Sequence, residues 1–449
     1  MNDVSTFLGR FGGTLICVLF VASLSGCGGG GSSGSPQSPP IASSSSSVSS
    51  ASSSSSSVSS SSASSSSSTS SASSSSMSSS SASSGPTETV LHSFGAPSSG
   101  DGNSPRANLV QATDGNFYGT TANGGVNDSG TVFKITPAGV ETVLHSFGTV
   151  ASVDGRGPFA RLVQATDGNF YGTTANGGDN ATGTVFKITP AGVETVLHSF
   201  GTVASGDGRT PLAGLIQATD GNFYGTTRDG GANTHGIVFK ISPTGVETIL
   251  HSFGASGDST APQGDALIQA TDGNLYGVTP TGGANGGGAI FKVTLAGVES
   301  VFYSFPAVTT FGYAPAGALI QATDGNFYGT AGLGGANDGG AAFKISPSGT
   351  YNVLYSFGAA SSGDAFQPRG LIQSTDGNFY GATRTGGPNN QGAVFKITPA
   401  GVETVLQSFL PRAGGYTPVG LIQGTDGAFY GTTEGGGDNG TGVVFKISF

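Results

Sequence analysis

The heptapeptide Thr113-Asp-Gly-Asn-Phe-Tyr-Gly119 occurs seven times along this 449-residue chain, with one substitution in two of the copies. The copies begin at Thr113, Thr166, Thr219, Thr271, Thr323, Thr375 and Thr425, so that their spacing stays between 50 and 53 residues. A period of about 50 residues, rich in strand and turn residues, is typical of propellers. The repeat therefore predicts a ring of equivalent β-modules.

One repeat unit contains four predicted strands. Residues 109–112 and 116–121 flank an Asp-Gly pair, which tolerates the positive φ of a tight hairpin turn. Residues 131–136 and 140–147 flank Pro137-Ala-Gly139, where proline fixes φ and glycine closes the turn. Because apolar residues alternate or form short blocks, the pattern indicates strands and no helix.

The two ends of the repeat array complement each other. The array begins with a strand of the fourth type, residues 88–94, and ends with a strand of the third type, residues 443–449. We expect the first strand to complete the last blade, which leaves no free sheet edge. The predicted fold is all-β, a seven-bladed β-propeller of four-stranded antiparallel blades over residues 87–449.

Residues 1–26 are predicted to be a lipoprotein signal peptide. Arg10 precedes an apolar run at residues 14–24 that is too short to span a bilayer stably. The run ends in Leu24-Ser-Gly-Cys27, which resembles a bacterial lipobox, the motif that is cleaved before a lipid-bearing cysteine. We expect Cys27 to anchor the chain, and Gly28 in place of Asp favours the bacterial outer membrane or cell surface.

Residues 27–86 carry the predicted lipidated Cys27 and a tether rich in serine and glycine. Such a segment cannot bury enough apolar surface to offset the entropy of ordering, so we expect it to be disordered. Cys17 leaves with the signal peptide, so the folded part has no cysteine. A disulfide and a thiolate metal site are therefore excluded there.

The repeated strings ETVLHSF, LVQATDGNFYGTT and GTVFKITPAG resemble the bacterial GloVer tandem repeat. Proteins with this repeat are grouped as choice-of-anchor tandem repeat proteins, because similar arrays carry different surface anchors. The resemblance covers essentially all of residues 87–449. It implies no established activity and no catalytic residues, and a lipid anchor at Cys27 agrees with it.

Polar residues that recur in every blade are predicted to be structural. The aspartates of the Asp-Gly turns should cap their own turns. Each lysine of the third strand is predicted to pair with a glutamate across the Pro-x-Gly turn. These pairs are Lys134–Glu141, Lys187–Glu194, Lys240–Glu247, Lys292–Glu299 and Lys396–Glu403, with Lys446–Glu88 formed by ring closure, while Lys344 faces Tyr351 and has no glutamate.

Two further series lie in the first and fourth strands. The glutamines at positions 111, 164, 217, 269, 321, 373 and 423 either line the channel or bond neighbouring blades, and buried hydrogen bonds between blades are favoured. The histidines of the HSF strings, His92, His145, His198 and His251, give way to Tyr303, Tyr355 and Gln407 in other blades. We interpret them as hydrogen-bonding strand residues, because a catalytic histidine would not be replaced by tyrosine.

Strand direction sorts the connections into two faces. The Asp-Gly and Pro-x-Gly turns share one face, here the turn face, and the Gly-Gly-x-Asn and blade-to-blade loops share the other, here the loop face. Loops on a rigid scaffold tend to carry function, so we expect a binding site on the loop face. The predicted binding residues are Phe311, Tyr313, Tyr416, Arg209, Arg228 and Arg384, and wider candidates are Arg106, Asp154, Arg156, Asp207, Asp229, His235, Arg369, Arg412 and Glu434.

Phe311 and Tyr313 form the aromatic pair on which a sugar or peptide would stack most readily. The sequence has no nucleophile elbow and no metalloprotease spacing, so no catalytic residue, metal site or cofactor is predicted. The loop at residues 124–128 offers oxygen ligands for Ca²⁺ and fits a turn equally well. Residues 87–449 hold 15 basic and 25 acidic residues, which disfavours nucleic acid as a partner.

These observations predict a lipid-anchored, monomeric, non-catalytic binding platform for a polysaccharide or a surface protein, joined to the membrane through Cys27. The alternative from the enzyme class is a lyase or glycoside hydrolase on the same scaffold. A second alternative is a purely structural envelope protein. Paired carboxylates for glycoside hydrolysis need a defined separation, which a sequence cannot show.

Overall fold

The computed structural model describes residues 85–95, 100–149, 154–201, 206–255, 258–263, 265–307, 309–359, 363–410 and 414–449. The predicted signal peptide, Cys27 and most of the predicted tether lie outside these residues. No helical segment within the described ranges combines the length and the apolar character that a bilayer-spanning helix needs.

Six four-stranded antiparallel sheets and one six-stranded sheet, that of blade 4, form the seven blades. From the axis outward, the strands of blade 1 are Val110–Gln111, Phe117–Thr121, Thr131–Ile135 and Glu141–Ser146. Those of blade 2 are Val163–Gln164, Phe170–Thr174, Thr184–Ile188 and Glu194–Ser199. Those of blade 3 are Ile216–Gln217, Phe223–Thr227, Ile237–Ile241 and Glu247–Ser252. Those of blade 4 are Ile268–Gln269, Leu275–Thr279, Gly286–Val293 and Glu299–Pro306.

The inner strands of the later blades are longer. Blade 5 contains Tyr313–Gln321, Phe327–Leu333, Ala341–Ile345 and Tyr351–Ser356, preceded by the short 3₁₀ helix Thr309–Phe311. Blade 6 contains Ala365–Gln373, Phe379–Gly386, Ala393–Ile397 and Glu403–Ser408. Blade 7 contains Tyr416–Gln423, Phe429–Gly435 and Val443–Ser448.

Blades 1 to 4 carry the same extension on the loop face as two-residue strand pairs, which are separate sheets in blades 1 to 3 and join the third strand in blade 4. These pairs are Gly102–Asn103 with Asn123–Gly124, Gly155–Arg156 with Asn176–Gly177, Gly208–Arg209 with Asp229–Gly230, and Ser259–Thr260 with Thr281–Gly282. The loop face is therefore ordered by backbone pairing in every blade, although the connections differ in length.

The fourth strand of blade 7 comes from the other end of the array. Thr87–Ser93, here the closing strand, pairs antiparallel with Val443–Ser448, with Thr87 opposite Ser448 and Ser93 opposite Val443. Its Phe94 is completely buried and packs against Phe133 of blade 1, with ring centroids 5.0 Å apart. The predicted seven-bladed propeller, closed by the N-terminal strand, is confirmed.

The hydrophobic core lies between blades. At six of the seven interfaces the tyrosine of one second strand stacks on the phenylalanine of the next second strand, with centroids 4.0–4.6 Å apart. Tyr430 and Phe117 make this contact across the closure at 4.1 Å. Each core cluster accordingly mixes residues of two consecutive blades, so that no blade completes its core alone.

The glycine that follows each of these tyrosines marks a close approach, as the sequence predicts. A Cβ atom added at Gly119 would lie 2.6 Å from Phe133 Cζ and 2.9 Å from Leu109 Cδ2. Any larger residue would push apart the first and third strands of its blade, because both flanking side chains are buried.

The Asp-Gly turns are capped as predicted. In blade 1 the backbone N–H of Asn116 donates to Asp114 Oδ1 at 3.0 Å, and Tyr118 Oη donates to Asp114 Oδ2 at 2.8 Å. The same tyrosine that stacks on the next blade is thus held by the turn of its own blade. This bond couples the turn chemistry to the blade interface.

The predicted lysine–glutamate pairs are wrong. Lys187 lies opposite Thr195 in the strand register, and Glu194 lies opposite Ile188, so lysine and glutamate point to opposite sides of the sheet. Lys187 Nζ instead lies 3.2 Å from the turn carboxylate of Asp167.

The same correction applies to the other predicted pairs and to ring closure. Lys446 pairs with Asp426 at 2.8 Å and not with Glu88, and Lys344, predicted to lack a glutamate, pairs with Asp324 at 2.9 Å. A one-residue error in the expected register explains all of these failures, because side chains alternate between the two sides of a strand.

The glutamine series bonds neighbouring blades, as the favoured interpretation expects, but these bonds are solvent-exposed and not buried. Gln164 Oε1 accepts the backbone N–H of Thr113 at 2.9 Å, and Gln111 Oε1 accepts that of Thr425 at 2.8 Å across the closure. Equivalent bonds form at the other five interfaces. These bonds form a continuous belt around the turn-face end of the axis.

Removal of the closing strand tests the ring. A chain that begins at residue 96 should lose at least about 3–5 kcal/mol of unfolding free energy, the usual cost of one buried phenylalanine side chain. We expect its melting temperature to fall by roughly 10 °C relative to a chain that begins at residue 87, with a broader transition. Calorimetry on both chains checks this, and identical melts would show that the ring does not need the closing strand.

The turn aspartates make stability sensitive to acid. Burial alone would raise the pKa of the Asp220 carboxyl, but hydrogen bonds from Asn222, Tyr224 and Lys240 lower it to about 2 from its ordinary 3.8. A depressed folded-state pKa gives stability that is present above the unfolded value and is lost as pH falls through the folded value. Asp220→Asn should therefore melt below the wild type at about pH 6, and the two should converge near pH 2. A gap that persists at low pH would refute this origin of the stability.

Candidate functional site

A cavity of about 320 Å³ opens at the loop-face end of the propeller axis. It is called the axial cavity below. Its walls come from the segments that follow the prolines leading into the first strands, and these segments differ from blade to blade. The polar and aromatic side chains of its lining are Arg106, Asn108, Phe159, Gln263, Asp265 and Arg369.

The floor of the axial cavity is a hydrogen bond across the axis. Asn108 Nδ2 of blade 1 donates to Asp265 Oδ2 of blade 4 at 3.1 Å. Beneath this bond a narrower space of about 150 Å³ is lined by Arg161 and by the isoleucines of the first strands, Ile268, Ile320, Ile372 and Ile422. The bond separates the polar cavity from this apolar part of the channel.

Two arginines, Arg106 and Arg369, line the axial cavity, and a third, Arg161, lines the narrower space beneath its floor. The guanidinium carbon of Arg106 lies 5.5 Å from the centroid of the Phe159 ring, a distance at which a cation–π attraction holds it in place. Arg369 Nη1 donates to Glu434 Oε1 at 2.8 Å. Burial lowers the pKa of Arg369, Glu434 opposes that change, and Arg384 and Arg106 add to it. An arginine remains charged through such changes, so the cavity lining carries two positive charges, Arg106 and Arg369, and one carboxylate, Asp265.

Two buried polar atoms at the floor lack a hydrogen-bond partner within the described structure. They are Arg161 Nε and Asn108 Oδ1. Buried polar groups in native proteins nearly always have a partner, which is protein, water or ligand. The floor therefore has a donor and an acceptor available to a bound molecule.

The predicted aromatic residues lie at the edge of the loop face. Phe311 is 49% exposed and ends the 3₁₀ helix, and its carbonyl oxygen accepts the hydroxyl of Tyr351. Tyr313 is half-buried and pairs with Leu333 in blade 5. Tyr416 is exposed and pairs with Gly435 in blade 7. These three rings lie in two different blades and outside the lining of the axial cavity.

The predicted arginines differ in their surroundings. Arg228 Nε and Nη2 both donate to Asp229 Oδ2, at 2.9 and 2.8 Å. Arg209 lies opposite Asp229 in the strand register, and its Nε is buried without a hydrogen-bond partner in the described structure. Arg384 is exposed, and its charge reaches Arg369 at the cavity. Of the three, only Arg384 adds to the positive charge of the axial cavity.

Among the wider candidates, Arg106 and Arg369 line the cavity and Glu434 pairs with Arg369. Arg156 and His235 are exposed on the loop face, and Arg412 lies outside the described residues. In the possible calcium loop, Asp128 Oδ1 accepts the N–H of Gly124 and Asn127 Nδ2 donates to Phe147 O, as expected for a turn.

Sequence reasoning missed Arg161, Asn108 and Asp265. Asn108 and Arg161 stand just before the leucine that leads into the first strand, where the other five repeats have glycine or alanine, and Asp265 stands one position earlier in its own repeat. A comparison of the seven repeats at these two positions would have shown these polar residues beside the axis. Variable length favoured the outer loops as the predicted site, whereas the residues of the axial cavity come from different blades that meet at the axis.

A second set of side chains meets at the outer edge, where consecutive fourth strands approach. Each group combines a histidine of one blade, an aspartate of the following loop and the first glutamate of the next fourth strand. These groups, here rim clusters 1 to 4, are His92/Asp101/Glu141, His145/Asp154/Glu194, His198/Asp207/Glu247 and His251/Asp258/Glu299, with ligand-type atoms within 4.8 Å of one another.

The aspartate of each rim cluster binds the histidine and the backbone at once. In rim cluster 2, Asp154 Oδ2 lies 3.3 Å from His145 Nε2 and accepts the N–H of Gly148 at 3.1 Å. Asp154 and Asp207, named among the wider binding candidates, belong instead to a repeated structural position. They hold an equivalent position, four residues before the proline that precedes the first strand, in a loop of variable length. The prediction that the histidines are hydrogen-bonding strand residues is confirmed.

The glutamates of the rim clusters are half-buried, and their pKa values are raised. Burial, together with the negative charge of Asp154, raises the pKa of Glu194 to about 7, and His145 opposes this change. Glu141 and Glu247 are raised to about 7 for the same reasons. In each case burial is the larger cause, because the carboxylate loses water without gaining a donor.

The three remaining blade junctions carry related groups without histidine. The sixth has Tyr355, whose hydroxyl donates to Asp364 Oδ2 at 3.0 Å, next to Glu403. The seventh has Gln407, whose Nε2 donates to Glu88 Oε2 at 2.7 Å. The fifth has Tyr303 stacked on Tyr351, with centroids 4.8 Å apart and planes at 6°.

Architecture and site define the class as an all-β, seven-bladed propeller with an axial cavity on its loop face. The chain belongs to the family described as the Gloeobacter/Verrucomicrobia repeat, whose profile matches residues 53–269 and 213–445. The resemblance to the GloVer repeat is thus confirmed, and the lipoprotein form stays a prediction. No curated protein matches the chain.

Several solved propellers are similar in fold. A streptogramin B lyase is 15% identical, with a TM-score of 0.54 over 81% of this chain and 98% of that one. A virginiamycin B lyase from Staphylococcus aureus is 13% identical, with 0.54 over 81% and 99%. The extracellular domain of a hybrid two-component system from B. thetaiotaomicron is 11% identical, with 0.53 over 77% and 40%. Identities this low show the fold alone, since one fold serves many functions.

The sixth junction predicts how rim clusters tolerate substitution. In metal-free buffer, His145→Tyr should leave the melting temperature nearly unchanged, because a tyrosine already donates to the equivalent aspartate in Tyr355–Asp364. His145→Ala should cost about 1–3 kcal/mol, because it removes the side-chain partner of Asp154, a buried carboxylate. Thermal melts of both variants test this difference. Equal losses for Tyr and Ala would mean that the junction does not depend on the hydrogen bond.

Proposed function

We propose that the protein is a non-catalytic binding platform whose axial cavity takes the carboxylate end of an acidic glycan. The observation that carries the proposal is the meeting of Arg106, Arg161 and Arg369 at the axis. The whole chain has a net charge of −10, so a positive cavity is a local exception to the charge of the molecule. Such an exception favours an anionic ligand.

The chemistry of the arginines supports a carboxylate. A guanidinium matches the two oxygens of a carboxylate in a planar, bidentate pair. Arg161 Nε is buried without a partner and lies beside the floor, where it is available for such a bond. Arg106 extends over the Phe159 ring, which keeps the guanidinium at the cavity mouth.

The size and lining of the cavity support a sugar. A volume of about 320 Å³ is at the lower end of the range for small-molecule sites, and it suits one or two sugar rings. Phe159, Pro315 and Val419 provide apolar surface beside the charged groups. A uronic acid combines a carboxylate with a ring whose apolar side can pack on an aromatic group.

The carboxylates near the cavity support a binding function. Asp265 accepts from Asn108, and Glu434 accepts from Arg369. Both are therefore engaged in the structure of the site, whereas an acid–base pair for glycosidic cleavage would have to act on the ligand.

In the proposed arrangement, a lipid on Cys27 holds the protein at the outer membrane or cell surface.

Calorimetric titration with an oligogalacturonate trisaccharide tests the proposal. We expect binding to the wild type, and a loss of about tenfold or more for Arg161→Gln and for Arg106→Gln, because each removes a charge-assisted hydrogen bond worth about 1.5–3 kcal/mol. The methyl-esterified trisaccharide should bind weakly, because it lacks the carboxylates.

Arg156→Gln is the matched control, because Arg156 is an exposed arginine of the loop face outside the cavity lining. It should bind as the wild type does. Equal binding of the methyl ester, or equal losses in the control, would exclude carboxylate recognition at the axis. Release of shorter oligosaccharides, detected by mass spectrometry, would overturn the non-catalytic assignment in favour of a lyase or hydrolase.

A further inference from the structure

Rim clusters 1 to 4 bring one nitrogen and two carboxylate donors together from three separate segments. His145 ends one fourth strand, Asp154 lies in the following loop, and Glu194 begins the fourth strand of the next blade. His–Asp distances of 3.0–3.3 Å recur in all four clusters. Two ligands of one tetrahedral Zn²⁺ ion lie roughly 3.4 Å apart, given bonds of about 2.1 Å.

The donors are fixed before any ligand arrives. Asp154 is held by the N–H of Gly148, and its side chain is only 3% exposed. The His145 ring packs edge-on against Phe147 at 4.7 Å between centroids, which limits its rotation. Outer contacts of this kind orient metal ligands and restrict their motion.

Each cluster also contains buried oxygens that nothing in the described structure satisfies. Glu194 Oε1 and Asp154 Oδ1 are fully buried and have no hydrogen-bond partner. The first glutamate oxygen is in the same state in the other three clusters, at Glu141, Glu247 and Glu299, and also at Glu403 and Glu88 of the sixth and seventh junctions, which have no histidine. A buried polar group without a partner costs about 1–3 kcal/mol, so a cost repeated in six junctions indicates an additional partner, and within the described residues rim clusters 1 to 4 place a histidine nitrogen beside it.

The junctions without histidine differ in how many of the three positions they change: the sixth keeps Asp364 and Glu403, and the seventh keeps only Glu88. In the fifth junction Tyr303, Phe311 and Tyr351 replace histidine, aspartate and glutamate at once, and the tyrosines stack on each other. The junction can therefore be filled by aromatic packing alone. The chain retains the complete polar set in four junctions although packing does not require it, which indicates a shared ligand.

We propose that rim clusters 1 to 4 are four Zn²⁺ sites, each of which joins two consecutive blades. Histidine Nε2 and one oxygen from each carboxylate would supply three ligands, and water would complete the tetrahedron. A mixed set of one nitrogen and two oxygens suits Zn²⁺, whereas Ca²⁺ takes six to eight oxygens. This proposal replaces the sequence-based expectation that the chain has no metal site.

The proposed role of the ions is to tie blades together at the rim. A ligand that binds the folded state alone raises its stability by mass action. Rim cluster 1 lies at the junction that closes the ring, because His92 belongs to the closing strand and Glu141 belongs to blade 1. Zinc in rim cluster 1 would therefore reinforce the closure itself.

Metal uptake by the untagged full-length chain tests the proposal. After chelator treatment and dialysis against Zn²⁺, elemental analysis should find four equivalents per chain, and Ca²⁺ should not be retained. Zn²⁺ should raise the melting temperature by several degrees. An absence of Zn²⁺ uptake would overturn the proposal and leave ordered water as the partner of the buried oxygens.

Substitutions assign the sites one by one. His145→Tyr, which copies the natural sixth junction, should reduce uptake from four equivalents to three, and Glu194→Gln should do the same. Tyr355→His should raise uptake to five, because Asp364 and Glu403 already occupy the other two positions. His235→Gln, which removes an exposed histidine outside the clusters, should leave it at four.

Three outcomes would contradict the assignment. One is unchanged uptake when all four rim histidines are replaced by tyrosine in a chain that still melts cooperatively. Another is a loss of uptake in His235→Gln, which would place the metal at an exposed surface histidine. The third is no gain in Tyr355→His. The arginine variants of the axial cavity should keep four equivalents, so failure of one proposal is separable from failure of the other.

Discussion

The fold depends on the tyrosine side chain of each second strand, which is held both by the next blade and by the turn of its own blade. In each blade the aromatic face of the tyrosine packs on the next blade, with Tyr118 stacked 4.0 Å from Phe170, while its hydroxyl donates to the aspartate of its own turn. The lysine of the third strand binds the same aspartate, as Lys446 does at Asp426. The Asp-Gly-Asn-Phe-Tyr-Gly string therefore encodes a turn and an interface together. Because no blade completes its core alone, the ring must close for the last interface to form.

The candidate site is formed by residues at positions where the seven repeats differ in sequence. The inner position before the first strand is Asn108 in blade 1, Arg161 in blade 2 and Gly214 in blade 3, and blade 4 places Asp265 at the same level. Seven-fold geometry brings these unlike residues to one axis, where Asn108 and Asp265 bond across the channel. The regular scaffold thus places these residues at the axis, and a few side chains that differ between repeats give the site its charge. The rim clusters differ from the axial cavity, because they are formed by positions that recur in several repeats.

The architecture could be predicted because spacing, turn residues and terminal strands all point to the same ring. The lysine partners could not, because a shift of one residue in register moves a side chain to the other side of the strand, as for Lys187 and Glu194. The axial cavity was missed because its members are far apart in sequence, as with Asn108 and Asp265. The shared position of the rim aspartates could not be predicted, because variable loop lengths conceal their common distance from the proline, as at Asp154 and Asp207.

Closure connects the proposed functions, since the axial cavity needs a complete ring and rim cluster 1 spans its seam. Hydrogen exchange of the backbone amides is the most direct measurement of that closure. The closing strand, Thr87–Ser93, should exchange as slowly as its partner Val443–Ser448, and both should open together under mild denaturant. Fast exchange of residues 87–93 beside a protected 443–448 would contradict a ring latched by its N-terminal strand.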